Sequence, residues 1–197
     1  MWKCNTPGIP DELFERLEEV PITKEEVRVV QISKARLSSG QTVYDIGCGS
    51  GSVSIEAALQ VKSSGKVYSI DFDPKAIDLT NKNLAKFKIS NVTVIWGNAK
   101  EKIAELPVAD AIFIGGTAGD TKEILKLCES KLKAGGRIVI GTILIETFVA
   151  VLDIIEELKF SSVDITQITV SKSRKTPTGT MMLARNPVTI ISATKIK

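Results

Sequence analysis

The chain has 197 residues, a net charge of +3 and no histidine. Its 43% apolar and 25% charged content is that of an ordinary globular protein, which excludes disordered and fibrous classes. The missing imidazole excludes Ser-His-Asp and Cys-His nucleophilic catalysis and histidine-ligated metal sites, so no metal is expected. Cys4, Cys48 and Cys128 are widely spaced and form neither a disulfide framework nor a zinc motif, which points to a reducing, cytoplasmic setting. No apolar run is long enough to span a membrane, and 5% aromatic residues with a mild charge make a poor track for nucleic acid.

Residues 6–10 are turn chemistry, and 11–20 reads as a short amphipathic helix with Leu13, Phe14 and Leu17 on one face. Thr23-Lys24-Glu25-Glu26 reads as a capping box, with Thr23 at the N-cap of a helix running to about Leu37. From Thr42 short apolar runs at 42–46, 66–70, 92–96, 109–114 and 137–140 alternate with helical windows at 52–62, 74–87, 98–105, 120–133 and 144–158. Runs such as Ala111-Ile112-Phe113-Ile114 lack polar alternation, as strands buried on both faces of a parallel sheet do. Val163–Val170 and Met181–Thr194 alternate and read as an antiparallel pair closing the sheet, with Pro187 demanding an edge position or a bulge. The expected architecture is a single α/β domain over 1–197 with a doubly wound, mostly parallel seven-stranded sheet. It divides into an N-terminal helical segment (1–40), a ligand-binding core (41–160) and C-terminal antiparallel strands (161–197).

The most informative segment is Asp45-Ile46-Gly47-Cys48-Gly49-Ser50-Gly51-Ser52. A strand enters a glycine-rich turn that opens a helix, the place where an α/β sheet binds a nucleotide-like ligand. The pattern is GxGxG and not the GxGxxG of dinucleotide folds. A carboxylate at Asp45 would repel a pyrophosphate and attract an ammonium or sulfonium. Asp71 ends the second strand about 24 residues beyond Gly47, where an acid accepts hydrogen bonds from ribose hydroxyls. Asp73-Pro74 reads as the N-cap and first position of the next helix. Asn98 and the Ala99 backbone, after the third strand, are expected to read an adenine edge. The ligand that fits this set is S-adenosylmethionine.

Several segments resemble the cobalt-precorrin C15-methyltransferase (decarboxylating) family of cobalamin biosynthesis: Gly8-Ile9-Pro10-Asp11, Pro21 to Arg28, Gly51 to Glu56, Phe113-Ile114-Gly115-Gly116, Val170 to Arg174 and Asn186-Pro187-Val188. The resemblance spans essentially the whole chain. It implies a class I methyltransferase fold, methyl transfer to C15 of a tetrapyrrole with loss of the C12 acetate as carbon dioxide, and a homotetramer. It places cofactor contacts on Thr23, the Gly47–Gly51 loop (with Cys48, Gly49 and Ser50), Asp71 and Ala99.

A polycarboxylate substrate needs cations and free backbone N–H groups. Gly115 and Gly116, at the end of the fourth strand, offer an anion-accepting turn, and Lys172, Arg174, Lys175 and Arg185 form a basic C-terminal cluster, of which Arg174 and Arg185 are the substrate candidates. No residue stands out as a general acid or base. Two rival readings stay open: a tRNA adenine methyltransferase, which would want a broader basic surface, and a non-catalytic S-adenosylmethionine-binding subunit, which would bind the cofactor without turnover.

Overall fold

The structure, a computed structural model, describes residues 2 and 4–196. Its main sheet has seven strands in the order β3-β2-β1-β4-β5-β9-β6. β1 (Thr42–Ile46), β2 (Lys66–Asp71), β3 (Val92–Trp96), β4 (Ala109–Ile114) and β5 (Leu132–Thr142) run parallel. β9 (Val188–Thr194) is antiparallel to both β5 and β6 (Ser161–Ile168). The chain winds from β1 outward to β3 and then crosses to β4 on the other side of β1. A crevice therefore opens at the carboxyl ends of β1 and β4.

The period of two in each strand sorts its residues onto two helical layers. Val43, Val67, Ala111 and Phe113 pack under α1 (Glu25–Ala35) and α2 (Ser52–Val61). Tyr44, Ile46, Ile112 and Ile114 pack under α5 (Thr121–Lys131) and α6 (Ile145–Glu157). α3 (Pro74–Phe87) adds Leu84 and Phe87 to a satellite cluster with Ile9, Phe14 and Ile55. It opens as expected, with Asp73 Oδ1 accepting the Lys75 amide at 2.9 Å and Pro74 in the first turn. α4 is a single turn, Ala99–Lys102. Among the described residues no helix is long and apolar enough to cross a membrane.

Three sequence expectations are corrected. Residues 11–20 hold only a 3-10 turn, Asp11–Leu13, with Phe14 buried and Leu13 and Leu17 exposed. This segment is tied by charge: Glu56 accepts the Gly8 and Ile9 amides, and Asp11 accepts from Arg28. Thr23 is not the N-cap of α1. The helix starts at Glu25, its N-cap position is Lys24, and the acceptor for the Glu25 amide is Asp11 Oδ1 at 2.9 Å, fourteen residues back. The helix also ends earlier, at Ala35, with Arg36 in the left-handed region.

At the C-terminus β6 and β9 do pair antiparallel and close the sheet. Between them, β7 (Ser171–Thr176) and β8 (Gly179–Ala184) form a separate two-stranded hairpin. Met181–Ala184 therefore belongs to the hairpin, and Pro187 lies in the connection just ahead of β9, where it withholds no ladder hydrogen bond. Met181–Ala184, expected to continue into β9 as one long strand, is exposed throughout, alternation alone being unable to say which sheet a strand joins.

Candidate functional site

Two cavities open side by side at the crevice. The smaller, about 540 Å³, is lined by the turn Gly47-Cys48-Gly49, by Asp71 and Phe72 after β2, and by Asn98 and Ala99 at the start of α4. The larger, about 1140 Å³, lies against α1, the end of β5 and the loop that enters α6. They share Pro21, Thr23, the run Gly115 to Ala118, and Asp120.

Close backbone approach builds the turn. Gly47 has φ +71°, and a Cβ there would meet Gly116 N at 2.8 Å, so only glycine lets the β1 and β4 loops touch. Gly49, at φ +54°, lies under the strap at residues 20–24, where a Cβ would meet the Pro21 carbonyl oxygen at 2.7 Å. The strap is pinned to the turn by the Ser50 amide, which donates to Pro21 O at 3.2 Å. From the other side Arg28, fully buried, donates to the carbonyls of Thr23 and Ile9 and to Glu56 Oε1.

Asp71 holds the opposite edge. Its Oδ2 accepts the Gly49 amide at 2.9 Å and its Oδ1 the Asp73 amide at 3.0 Å. A carboxylate fixed at both oxygens, with lone pairs still facing the cavity, suits a vicinal diol. Phe72, 66% exposed, presents an apolar ring beside it, and Trp96 Nε1 donates to the Phe72 carbonyl at 3.0 Å. The Ala99 amide, at the first position of α4, has no acceptor among the described residues. Asn98 is turned otherwise than expected: its Oδ1 caps the Lys100 amide at 3.0 Å, so its backbone and not its side-chain oxygen borders the cavity freely.

Of the residues singled out in the sequence, Thr23, Gly47, Cys48, Gly49, Asp71, Asn98 and Ala99 come together on the smaller cavity, with Gly115 and Gly116 between the two. Asp45, Ser50 and Gly51 do not line it. Strand alternation places Asp45 on the α2 face, where its carboxylate accepts from the Ser54 hydroxyl. Burial, with a smaller contribution from Asp71, pushes its pKa up to about 6 against the Ser54 hydrogen bond. This hydrogen bond ties the end of β1, just before the turn, to α2. Gly51 sits at the N-cap of α2 against Thr80. Burial, then Asp45, pushes the Cys48 thiol well up, so it is no thiolate nucleophile.

Arg174 and Arg185 are not brought to either cavity. Arg174 lies on the exposed hairpin opposite Met181. Arg185 faces Asp11 and Glu26 at 3.7 and 3.6 Å, and Lys172 is bound by Glu25 and Glu26 at 3.1 and 2.6 Å. Lys172 and Arg185 are thus engaged in ion pairs that hold the hairpin against α1. The sequence reading missed the strap, Phe72, and Lys24 and Gln31 on the larger cavity. Only Phe72, a large apolar residue between two acids at a strand end, left a signal to find.

The sheet order and this paired crevice define a class I methyltransferase fold; a SAM-dependent O-methyltransferase structure from Thermotoga maritima shares it at a TM-score of 0.78 and 22% identity, over 92% of this chain and 69% of that one. Within that class, residues 12–195 match the precorrin methyltransferase domain, and the chain belongs to that family. A "probable cobalt-precorrin-6B C(15)-methyltransferase (decarboxylating)" of Saccharolobus solfataricus is 46% identical over 196 residues, 98% of each chain. The crystal structure of a precorrin 8W decarboxylase from Methanobacterium thermoautotrophicum superposes at a TM-score of 0.89 with 37% identity, over 94% of this chain and 98% of that one.

Proposed function

We propose that this protein methylates C15 of cobalt-precorrin-6B, with loss of the C12 acetate as carbon dioxide, using S-adenosylmethionine. The observation that carries this reading is the pair of cavities meeting at Gly115–Thr117. The smaller suits a nucleoside through Asp71, Phe72 and the Ala99 amide, and the larger has room for a macrocycle. Full-length relatives named for that activity support the substrate.

S-adenosylmethionine supplies an electrophilic methyl group. The protein's part is to align donor and acceptor across the shared wall, since proximity and orientation provide much of the acceleration of an in-line displacement. Breaking the bond between the acetate methylene and its carboxyl carbon releases carbon dioxide and leaves an electron pair for the ring, so no protein nucleophile is required. The Gly115 and Gly116 backbone borders the reacting region, and neither glycine has a side chain to obstruct it.

The chain acts as one domain in the cytoplasm, in keeping with three free cysteines, and assembles as a homotetramer. The hairpin supports assembly: it lies apart from the main sheet and exposes Met181, Met182 and Leu183.

The test incubates purified protein with methyl-labelled S-adenosylmethionine and either cobalt-precorrin-6B or bulk tRNA. A corrinoid product with one methyl gained and one carbon dioxide lost is expected. Labelled tRNA with unlabelled corrinoid would overturn the assignment in favour of an RNA enzyme. Cofactor binding with no transfer to either would favour a non-catalytic subunit.

A further inference from the structure

Lys24 occupies the N-cap position of α1 and stands half-buried on the wall of the larger cavity. Among the described residues its ammonium makes no ion pair and no hydrogen bond, and the neighbouring carboxylates face other cations. Asp11 Oδ1 accepts from Arg28 and from the Glu25 amide, and Asp11 Oδ2 faces Arg185. Glu25 and Glu26 hold Lys172. The other lysine on the same cavity, Lys122, is paired with Asp153 at 3.1 Å. Burial pushes the Lys24 pKa down, and Arg16, Arg185 and Arg28 push the same way against Asp11. A partly desolvated cation without a partner is unfavourable until an anion reaches it.

Two turns along the same helix face, about 10 Å at 1.5 Å per residue, Gln31 lines the same cavity. The residue is only 5% exposed, and no hydrogen bond from its side chain is made among the described residues. Gly141 makes room for it: a Cβ there would lie 2.2 Å from Gln31 Nε2. Its amide atoms are not among the fully enclosed polar atoms that lack a partner, so they open onto the cavity, where a ligand group can reach them. Val27 lies between the two, and across the cavity Ile143 and Leu144 are 62% and 58% exposed. The cavity thus has Lys24 and Gln31 along α1 and a mixed wall elsewhere, on which Ile143 and Leu144 are the apolar part and Glu146, Asp120 and Glu123 the acidic part.

We propose that Lys24 and Gln31 form a two-point recognition stripe for peripheral carboxylates of the macrocycle, the ammonium gripping one and the Gln31 amide donating to another. This rests on the tetrapyrrole reading above. Ile143 and Leu144 then meet the apolar face of the ring. The carboxylate on Lys24 is one that the product keeps, because pairing with a cation stabilises the anion and holds back its decarboxylation. Lys24 and Gln31 are therefore specificity residues and take no part in the chemical step.

The experiment measures kcat and KM for cobalt-precorrin-6B, and the S-adenosylmethionine Kd by calorimetry, in wild type, Lys24→Met, Lys24→Arg, Gln31→Met and Gln31→Glu. Lys24→Met and Gln31→Met should each raise KM about tenfold, the effect of one lost charge-assisted hydrogen bond, with kcat and cofactor Kd within about twofold. Lys24→Arg should restore most of the affinity, and Gln31→Glu, which sets a like charge against the substrate, should weaken it further. Thermal midpoints identify any variant that is merely unfolded. Lys24, at a helix end and half-exposed, keeps the test decisive should a Gln31 variant melt early. Wild-type turnover with an unchanged KM in folded Lys24→Met overturns the stripe alone, as does a fall in kcat at constant KM. A wild type that neither binds nor methylates the tetrapyrrole overturns the functional reading, and the stripe with it.

Discussion

Asp71 accepts the Gly49 amide at 2.9 Å across 22 residues of chain. The end of β2 thereby holds the glycine turn of β1 in place, and one carboxylate both shapes the smaller cavity and lines it. With Oδ1 on the Asp73 amide at 3.0 Å, it is fixed before any ligand arrives, so little side-chain freedom is lost on binding.

Asp71→Ala should weaken S-adenosylmethionine binding at least tenfold, because hydrogen bonds to a charged acceptor contribute roughly 1.5–3 kcal/mol each. It should also lower the thermal midpoint modestly, since two backbone amides lose their acceptor. Calorimetric titration checks the first effect and a melting curve the second. An unchanged Kd would show that the ribose is held elsewhere.

Asp45 makes stability pH-dependent. Its carboxyl is raised from 3.8 to about 6 in the fold, so between those values the native state binds more protons than the unfolded chain. Stability from this group is therefore lost as pH rises through about 6, on the order of 3 kcal/mol in full. Asp45→Asn keeps an acceptor for Ser54 and carries no charge. The difference in denaturant midpoint between variant and wild type should grow in the variant's favour from pH 4 to pH 7. A flat difference would mean that Asp45 ionises freely.

Arg28 should be the costliest surface-remote charge to remove. Its guanidinium is fully buried among Glu56, Asp11 and two carbonyls, and Arg28→Met strands Glu56 without a counter-charge and leaves Asp11 only the more distant Arg185. A loss of about 3–5 kcal/mol is expected, read by urea unfolding. The strap at Thr23 should loosen with it and cofactor affinity should fall in whatever fraction stays folded. A loss below about 1 kcal/mol would indicate that water replaces the guanidinium.

The hairpin gives an assembly test. Met182 is 63% exposed, and Met181 and Leu183 lie beside it. Met181→Lys combined with Met182→Lys should convert a tetramer to smaller species in sedimentation while leaving the cofactor Kd unchanged. A wild type that sediments as a monomer would dismiss the tetramer.

What the sequence determined by itself is what local chemistry controls. Runs of β-branched residues between turn signals located β1 to β4 within a residue. The Asp73-Pro74 cap and the strand-end positions of Gly47 and Asp71 were legible because a cap or tight turn is decided by a few neighbours in the chain. Charged side chains escaped that logic. Thr23 lost its expected capping role to Asp11, and Lys172 and Arg185 turned from a cavity to Glu25 and Glu26. Lys24, with nothing in the sequence to mark it, was left without a partner. Long side chains choose among partners that only chain crossing brings near, and a buried charge must take whichever lowers its desolvation cost most. The direction of Asp45 was decided in the same way: one step of strand alternation set it under α2, and only the assembled sheet says which layer covers which face.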